Sequence, residues 1–396
     1  MSVAKAVLVL TVLVSSYSAS DDVALARATN VFGINLLREL SSVKPRQNIV
    51  FSPSSISVEV AMVYAGAAGQ CAEETSRVLG HIGVGLLDRD TVLASYKKRI
   101  NDTSDILMMA NAVLVRNTSS VLDTYKRTLQ EVFAAQFKSV DFLAYGYRMA
   151  AEINEWMCEK TEGRVTKGIL DGMPMNTVVY VVSAASLATL PWISQFEPNN
   201  TRILPFFNHG IELARQEVMT ATANIRHAKL PDLESEAIEL LGTDLRRSMV
   251  IVLPDSITGL SKLRATFNAQ NIDDIDTELR SQRVNLRLPK FKINNRHNLV
   301  PTLRGLGINC VFGTEPDLSK MSCDKNLYVS EIAHVAVVTV NEEGAGFINP
   351  TPGWTPNAER AMRLRPLDFY VDHPFLFYIR DRLANTILLM GEVHEL

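Results

Sequence analysis

Strand-forming segments are concentrated in the second half of this chain, and that distribution limits the folds it can adopt. Thr177–Val182, Ser248–Leu253 and Val335–Val340 are short runs rich in valine, a residue that packs well in buried strands. Before them, apolar residues recur at helical spacing in Val23–Leu40 and Met149–Lys160. Helices and strands interleave early, strands dominate late, and no repeat of about 20 to 50 residues is present. The sequence therefore predicts a single α+β domain over residues 21–396.

One segment near the C-terminus breaks this pattern. From Gly344 to Pro356 the sequence reads GAGFINPTPGWTP, with three glycines and three prolines. Proline cannot donate a hydrogen bond to a neighbouring strand, and glycine weakens helices and strands alike. We therefore predict an exposed loop at about residues 341–368, between two strands. Long irregular loops in compact domains are often functional.

The first 20 residues have the features of a secretory signal peptide. Lys5 supplies a positive charge, Ala6–Val14 is a short apolar run, and Ser18 and Ser20 have the spacing that signal peptidase recognises. We predict cleavage after Ser20. A membrane anchor is the alternative, but the apolar run is shorter than the about 20 residues that a spanning helix needs. We expect a secreted, extracellular protein with no membrane association.

Export permits disulfide bonds, and the chain has four cysteines. Four cysteines can pair in three ways, and the sequence does not choose among them. Cys310 and Cys323 are close in sequence and flank an acidic, turn-rich segment, which favours a bond between these two. Free buried thiols are the alternative. The absence of a Cys-x-x-Cys motif gives no indication of zinc or of a redox centre.

Three Asn-x-Ser/Thr sequences, at Asn101, Asn117 and Asn199, are predicted glycosylation sites on the surface of an exported protein. The formal net charge is -3. A general nucleic-acid binder is usually clearly basic, so we expect no nucleic-acid partner.

No motif of a known enzyme class occurs in the sequence. It lacks a Gly-x-Ser-x-Gly elbow, a His-Glu-x-x-His motif, a phosphate-binding loop and a dinucleotide fingerprint. The seven histidines do not fall at metal-ligand spacing. We therefore expect a protein that is not an enzyme, with no catalytic residue, cofactor or bound metal.

Six segments, in order along the chain, resemble the serpin family of serine protease inhibitors. They are NIVFSPSSIS at Asn48–Ser57, INEWMCEKTEGRVTKGIL at Ile153–Leu170, FEPNNTR at Phe196–Arg202, SMVIVLP at Ser248–Pro254, LYVSEIAHVAVVTVNEEG at Leu327–Gly344 and FYVDHPFLFYIRD at Phe369–Asp381. The ordered set is specific, and the chain resembles a secreted serpin of the arthropod type.

The resemblance implies a serpin fold of three β-sheets and eight to nine helices, with an exposed reactive loop. In inhibitory serpins a protease cleaves this loop, which then inserts into the largest sheet while the protease is still acyl-linked to it. The inserted loop carries the protease across the sheet and distorts its active site. The trap depends on a stored conformational free energy that is released faster than the acyl bond hydrolyses.

The hinge that begins this loop departs from the inhibitory pattern. Glu342, Glu343 and Gly344 match the usual hinge start, and Ala345 is small, as insertion requires. Inhibitory serpins then carry a run of alanines, whereas this chain has larger or imino residues at Phe347, Ile348, Asn349, Pro350 and Pro352. The prolines lack N–H groups, and Asn349 would be buried on insertion. These features predict a poor trap, although partial insertion is the alternative.

The sequence leaves two candidate positions for the scissile bond. The family spacing from Gly344 places it after Ala358, before Glu359, and the spacing back from Pro374 places it near Arg363, before Leu364. Arg360 and Arg363 are suited to a trypsin-like protease, whereas Ala358 is suited to an elastase-like one.

The shutter, which holds the large sheet closed in serpins, also departs from the family pattern. A histidine matching His334 usually bonds an asparagine, but this chain has Ser183 at that place. The resemblance places Ser52 and Ser55 beside this pair, and we expect His334 to bond Ser183 or Ser55.

Together these features predict a secreted, monomeric serpin that presents its loop to an extracellular serine protease, trypsin-like rather than elastase-like, as a weak trap or a substrate. A fully competent suicide inhibitor of a trypsin-like protease and a non-inhibitory binding or carrier serpin are the alternatives.

Overall fold

Helices fill most of the first 160 residues, as the apolar periodicity predicts. The computed structural model describes residues 3–165, 172–194, 196–346 and 365–396, with side chains from residue 21 onward. Nine α-helices lie in these ranges: α1 (Val3–Val43), α2 (Pro53–Gly66), α3 (Gly69–Val78), α4 (Arg89–Thr103), α5 (Asp123–Phe133), α6 (Phe142–Lys160), α7 (Leu260–Thr266), α8 (Ala269–Glu278) and α9 (Val300–Gly305). No helix of these ranges combines the length and the hydropathy needed to cross a membrane.

Sixteen strands form within the same ranges. They are β1 (Ile49–Phe51), β2 (Leu107–Arg116), β3 (Gln136–Val140), β4 (Val179–Leu187), β5 (Leu190–Pro191), β6 (Arg202–Asn208), β7 (Glu212–Leu230), β8 (Ser235–Leu241), β9 (Arg247–Pro254), β10 (Arg280–Pro289), β11 (Phe291–Asn298), β12 (Val329–Val340), β13 (Gly344–Ala345), β14 (Leu367–Tyr370), β15 (Phe375–Asp381) and β16 (Thr386–Val393).

The strands of the described ranges form a seven-stranded and a nine-stranded sheet. The seven-stranded sheet has the order β3-β2-β4-β12-β13-β5, with β11 on the other side of β12. The nine-stranded sheet has the order β1-β16-β15-β9-β8-β7-β10-β14, with β6 also paired to β7. The long strand β7 pairs with β8 near its end and with β6 nearer its start, so it joins two smaller sheets into one. The expected α+β architecture is confirmed, and two of the three expected sheets are continuous through β7.

α2 lies in the core rather than on the surface. All of its residues are buried, which fits a sequence that is apolar on nearly every side. It begins sharply because the Ser52 Oγ accepts the N–H of Ser55 at 3.0 Å, and Pro53 occupies the first turn. The helix places Ser52, at its N-terminus, and Glu59, near its middle, behind the seven-stranded sheet.

The disulfide predicted between Cys310 and Cys323 was wrong. Cys310 is bonded to Cys71 of α3, with 4.9 Å between the two Cα atoms, and Cys323 is an exposed free thiol. Glu74 of α3 accepts the N–H groups of Asn309 and Cys310, each at 2.8 Å, and so holds the turn after α9 against α3. Closeness in sequence did not decide the pairing, because tertiary packing brings distant segments together. Cys158 is also free.

The three glycosylation sequences are accessible. The asparagines at 101, 117 and 199 are all exposed. Glycosylation at Asn101, Asn117 and Asn199 remains a prediction, as does the signal peptide of residues 1–20.

Candidate functional site: the hinge and the central strands

The two strands that a cleaved loop would have to separate are directly paired in this structure. β4 and β12 run parallel, with Ser183 opposite His334 and Ser186 opposite Val337. The pairing stops at Ser186, and beyond it the short strand β13 lies between β12 and β5. The sheet is therefore closed along most of its length and already separated at one end.

The start of the hinge fills that separated end as a short antiparallel strand. Ala345 pairs with Val340 of β12 on one side and with Leu190 of β5 on the other. The N–H of Gly346 donates to the carbonyl of Thr339 at 2.8 Å, which extends the same register by one residue. Ala345 is fully buried, so the small side chain expected here is a packing requirement.

Polar contacts fix the turn between β12 and β13. The side-chain oxygen of Asn341 accepts the N–H groups of Glu343 and Gly344, both at 3.1 Å, which forms an Asx-type turn. The carbonyl of Glu343 accepts the N–H of Trp192 at 2.9 Å. This turn directs the hinge back into the sheet rather than away from it.

Glu342 anchors the turn to the rest of the molecule. Its Oε1 accepts a hydrogen bond from the hydroxyl of Thr201 at 2.7 Å and lies 3.2 Å from the Nζ of Lys290. Burial opposes ionisation of this carboxyl, but the hydrogen bonds from Thr201 and Lys290, with the lysine charge, outweigh it and lower the pKa of Glu342. Glu342 is therefore a carboxylate at neutral pH.

Gly346 ends the described part of the hinge in a conformation that favours glycine. Its φ is 96°, and a Cβ on this residue would lie 3.4 Å from the carbonyl oxygen of Leu187. The predicted hinge residues Phe347, Asn349, Pro350 and Pro352 lie outside the described residues. So do the scissile candidates, which are Ala358, Glu359, Arg360, Arg363 and Leu364.

The expected bond between His334 and Ser183 is present. The Ser183 Oγ lies 2.8 Å from His334 Nδ1, and the N–H of Ser52 donates to His334 Nε2 at 3.1 Å. The Ser52 hydroxyl also donates to the carbonyl of Leu388 at 2.7 Å. Ser55 does not hydrogen-bond to His334, because its Oγ has no hydrogen-bond partner among the described residues.

His334 and Ser183 belong to a row of four buried polar residues across the sheet, which we call the polar belt: Asn111 of β2, Ser183 of β4, His334 of β12 and His297 of β11. The strand register places each opposite the next. Each also bonds a group behind the sheet. His297 Nε2 contacts the carbonyl of Val50 at 3.0 Å, and the Asn111 amide contacts that of Phe133 at 3.4 Å.

The group behind Ser183 is Glu59, a residue that the sequence analysis missed. The Ser183 hydroxyl donates to Glu59 Oε2 at 2.9 Å, and the whole glutamate side chain is buried. Burial raises the pKa of the Glu59 carboxyl well above its usual value. A single acidic residue in the apolar run ISVEVAMV was the available signal, because an acid is almost never fully buried without a specific role.

Both histidines of the belt are neutral. Burial lowers the pKa of His297 to about 4. Burial, and then the proximity of His297, lowers the pKa of His334 well below its usual value. The polar belt is therefore a hydrogen-bonded but uncharged arrangement in the middle of the sheet.

Comparison with known proteins decides the family. The model for the family described as "Serpin (serine protease inhibitor)" matches residues 27–396. The chain is a serpin. Serpins act as protease inhibitors rather than enzymes, although some members do not inhibit.

Relatives of this serpin include arthropod and vertebrate proteins. Iripin-8 of Ixodes ricinus is 32% identical over 382 residues, which cover 94% of each chain. Leukocyte elastase inhibitor of Xenopus tropicalis is 31% identical over 376 residues, which cover 93% of this chain and 98% of that protein. The solved structure of human thyroxine-binding globulin with thyroxine shares the fold, with a TM-score of 0.86 at 22% identity over 95% of this chain and 99% of that one.

Proposed function

We propose that this serpin is secreted and presents its loop at about residues 341–368 to extracellular serine proteases, which cleave it with little trapping. The protein is the bait, and the protease supplies the chemistry. The observation that carries the proposal is the register of β13, because it determines which loop residues would meet which residues of β12 on insertion.

The described hinge fixes that register. Val340 is opposite Ala345, and the N–H of Gly346 bonds the carbonyl of Thr339. In an antiparallel pair, every second residue of a strand directs its N–H and C=O to the same neighbour. The even-numbered residues that follow Gly346 would therefore bond β12 in an inserted loop.

Both hinge prolines fall on even positions. At this register Pro350 would lie opposite Val335 and Pro352 opposite Ala333, both of which are buried in the sheet. Neither proline has an N–H to donate, so the carbonyls of Val335 and Ala333 would each lose a partner. A buried unsatisfied carbonyl costs about 1–3 kcal/mol, and the two together cost about 2–6 kcal/mol.

The odd-numbered residues would share the buried face of Ala345. Phe347 would lie beside Val338, and Asn349 would lie beside Ala336 among apolar neighbours. Burying the Asn349 amide without partners adds a further cost of about 1–3 kcal/mol. These costs slow an insertion that must outpace hydrolysis of the acyl bond, so most cleaved molecules would release the protease.

One loop residue is compatible with insertion. At the same register Thr351 would come between Ser183 and His334, and its hydroxyl could hydrogen-bond with both. A fully competent inhibitor of a trypsin-like protease is therefore the second candidate function. Ala345, already seated in the sheet, favours insertion, and the relative called leukocyte elastase inhibitor favours inhibition as such, without favouring a trypsin-like target.

A non-inhibitory carrier is the remaining alternative. Its support is the fold shared with thyroxine-binding globulin, which is too distant in sequence to identify a ligand here.

One gel separates these functions. The protein is incubated with trypsin, thrombin and pancreatic elastase, and the products are run in SDS. Cleaved chain with little or no SDS-resistant complex supports the proposal, and complex formation in high yield supports the competent inhibitor. An intact loop after all three incubations supports the carrier.

Mass spectrometry of the cleaved chain identifies the scissile bond. We propose cleavage by a trypsin-like protease after Arg363 or Arg360, because arginine fits a negatively charged specificity pocket. Cleavage after Ala358 by elastase alone would contradict that preference.

Secretion and monomeric state are part of the proposal. Three exposed Asn-x-Ser/Thr sequences and a disulfide are features of proteins that mature in an oxidising compartment. Expression in a eukaryotic host tests both secretion and the monomeric state. The protein should appear in the culture medium, become smaller on glycosidase treatment and behave as a monomer.

A further inference from the structure

Glu59 is buried without the partners that a charged carboxylate needs. No part of its side chain reaches solvent. Its Oε2 accepts one hydrogen bond, from Ser183, and its Oε1 has no hydrogen-bond partner among the described residues. In the part of the chain that the structure describes, no lysine or arginine lies within 4.0 Å of it, and the basic group at that distance is His334 Nδ1.

Three hydrogen bonds lead to Glu59 in one direction. The N–H of Ser52 donates to His334 Nε2, so that nitrogen carries no proton and the neutral ring has its proton on Nδ1. The Nδ1–H then donates to the Ser183 Oγ, which leaves the serine hydroxyl free to donate to Glu59 Oε2. Glu59 is the final acceptor of this series.

His334 cannot neutralise an ionised Glu59 by taking up a proton. A protonated imidazole donates from both nitrogens, but Nε2 faces the N–H of Ser52, which is itself a donor. Protonation would therefore break that bond and place two donors against each other. The pair is stable with both groups neutral, and the proton belongs on Glu59.

Other titratable groups on the elements packed near α2 do not supply a counter-charge. Burial keeps His297 of β11 neutral. Burial also raises the pKa of Tyr96 of α4 and of Tyr125 of α5, so both stay protonated. Glu392 of β16 lies 3.0 Å from Arg264, and the guanidinium of Arg38 of α1 bonds the carbonyls of Arg264 and Phe267.

We propose that the neutral Glu59 carboxyl is a proton-controlled latch on the β4–β12 pair, which holds Ser183 in the closed sheet and loses its proton when the strands part. Ser183 is on β4 and His334 is on β12, so parting the strands breaks the bond between them. Water then reaches the carboxyl, which ionises as an ordinary glutamic acid does. This latch concerns how readily the sheet opens, and it operates whether or not the loop traps a protease.

The sign of the pH dependence follows from linkage. The closed sheet binds the proton more tightly than the open sheet, because the pKa of Glu59 is raised only while it is buried. The closed state is therefore favoured at low pH and loses that advantage as pH rises from about 4.3 through the raised value. Within that window the opening equilibrium constant rises by up to about tenfold per pH unit.

Hydrogen exchange of the intact, full-length protein measures this opening. Protection factors, corrected for intrinsic exchange, are determined from about pH 5 to about pH 8 for peptides from β4 and β12. In the wild type we expect their opening constants to rise with pH. Glu59→Gln keeps the shape and the acceptor oxygen but cannot ionise, so its opening constants should be independent of pH relative to the wild type.

Two controls make the test specific. Glu331→Gln on β12 removes a carboxylate that faces Arg296 and Tyr180, and it should keep the wild-type slope. Peptides from β15 report global unfolding, and they should not share the slope of β4 and β12. An equal slope in β15, or its loss in Glu331→Gln, overturns the latch.

Ser183→Ala provides a second variant in case Glu59→Gln folds poorly. It removes the side-chain hydrogen bond that favours the ionised carboxyl in the closed sheet, so the upper limit of the pH window should rise, while the lower limit, set by the open sheet, and the slope stay the same. The same pH slope in the wild type and Glu59→Gln, or an unchanged upper limit of the window in Ser183→Ala, contradicts the proposal. No protease enters these measurements, so their outcome is independent of the trapping assay.

Discussion

The two hinge prolines offer the sharpest test of the weak-trap proposal. If the register of β13 continues on insertion, Pro350 would lie opposite Val335 and Pro352 opposite Ala333. The double variant Pro350→Ala/Pro352→Ala restores two N–H donors, and two buried carbonyls regain partners worth about 1–3 kcal/mol each. The inserted, cleaved form should gain about 2–6 kcal/mol, while the uncleaved protein, in which these carbonyls already face β4, should be nearly unchanged.

Melting temperatures before and after trypsin cleavage measure this gain. In a large domain, each kcal/mol of added stability raises the melting temperature by roughly 2 °C, so the cleaved double variant should melt about 4–12 °C above the cleaved wild type. The yield of SDS-resistant complex should increase as well. Pro366→Ala is the matched control, because Pro366 lies beyond every candidate scissile bond and does not enter the inserted segment. If the cleaved wild type and the cleaved double variant have the same melting temperature and form equal amounts of SDS-resistant complex, the prolines do not limit insertion.

Three further predictions concern described residues. Cys71→Ser or Cys310→Ser should lower the free energy of unfolding by about 2–5 kcal/mol under non-reducing conditions, whereas Cys323→Ser should leave it unchanged in the same denaturant titration. Gly346→Ala should destabilise the seated hinge by about 1 kcal/mol or more through its positive φ, and should appear as faster hydrogen exchange of Ala345. The lowered pKa of His297 means that its stabilising contribution, complete above about pH 6.5, is lost as pH falls towards 4. The melting temperature should therefore fall less in His297→Gln than in the wild type as the pH is lowered from about 6.5 towards 4. An equal fall in both proteins would contradict the buried, neutral state of His297.

Much of the fold could be predicted from the sequence because the local signals were strong. The runs at Thr177–Val182 and Ser248–Leu253 lie in β4 and β9, and the helical period of Met149–Lys160 lies in α6. The strand-prone run Leu286–Ile293 is divided between β10 and β11. Pro289 is the last residue of β10 and Lys290 alone separates it from β11, at a point where proline interrupts strand pairing.

The site was harder to predict because its key contacts join residues that are distant in sequence. Ser183 and His334 were identified through the resemblance, yet the acceptor behind them, Glu59, is supplied by a different helix. Ser55 was the alternative to Ser183 as a partner of His334, but its hydroxyl has no hydrogen-bond partner among the described residues. No local pattern reports which side of a buried helix faces a given strand.

The pairing of β1 with β16 has a consequence for how the molecule is made. Residues 49–51 bond residues 390–392, and Cys71 bonds a cysteine 239 positions later. A ribosome delivers the early helices long before these partners exist, so residues 49–51 and Cys71 cannot make these contacts until residues 390–392 and 310 have been synthesised. Loss of β16 would therefore remove a partner of both β1 and the central strand β15 rather than shorten an edge.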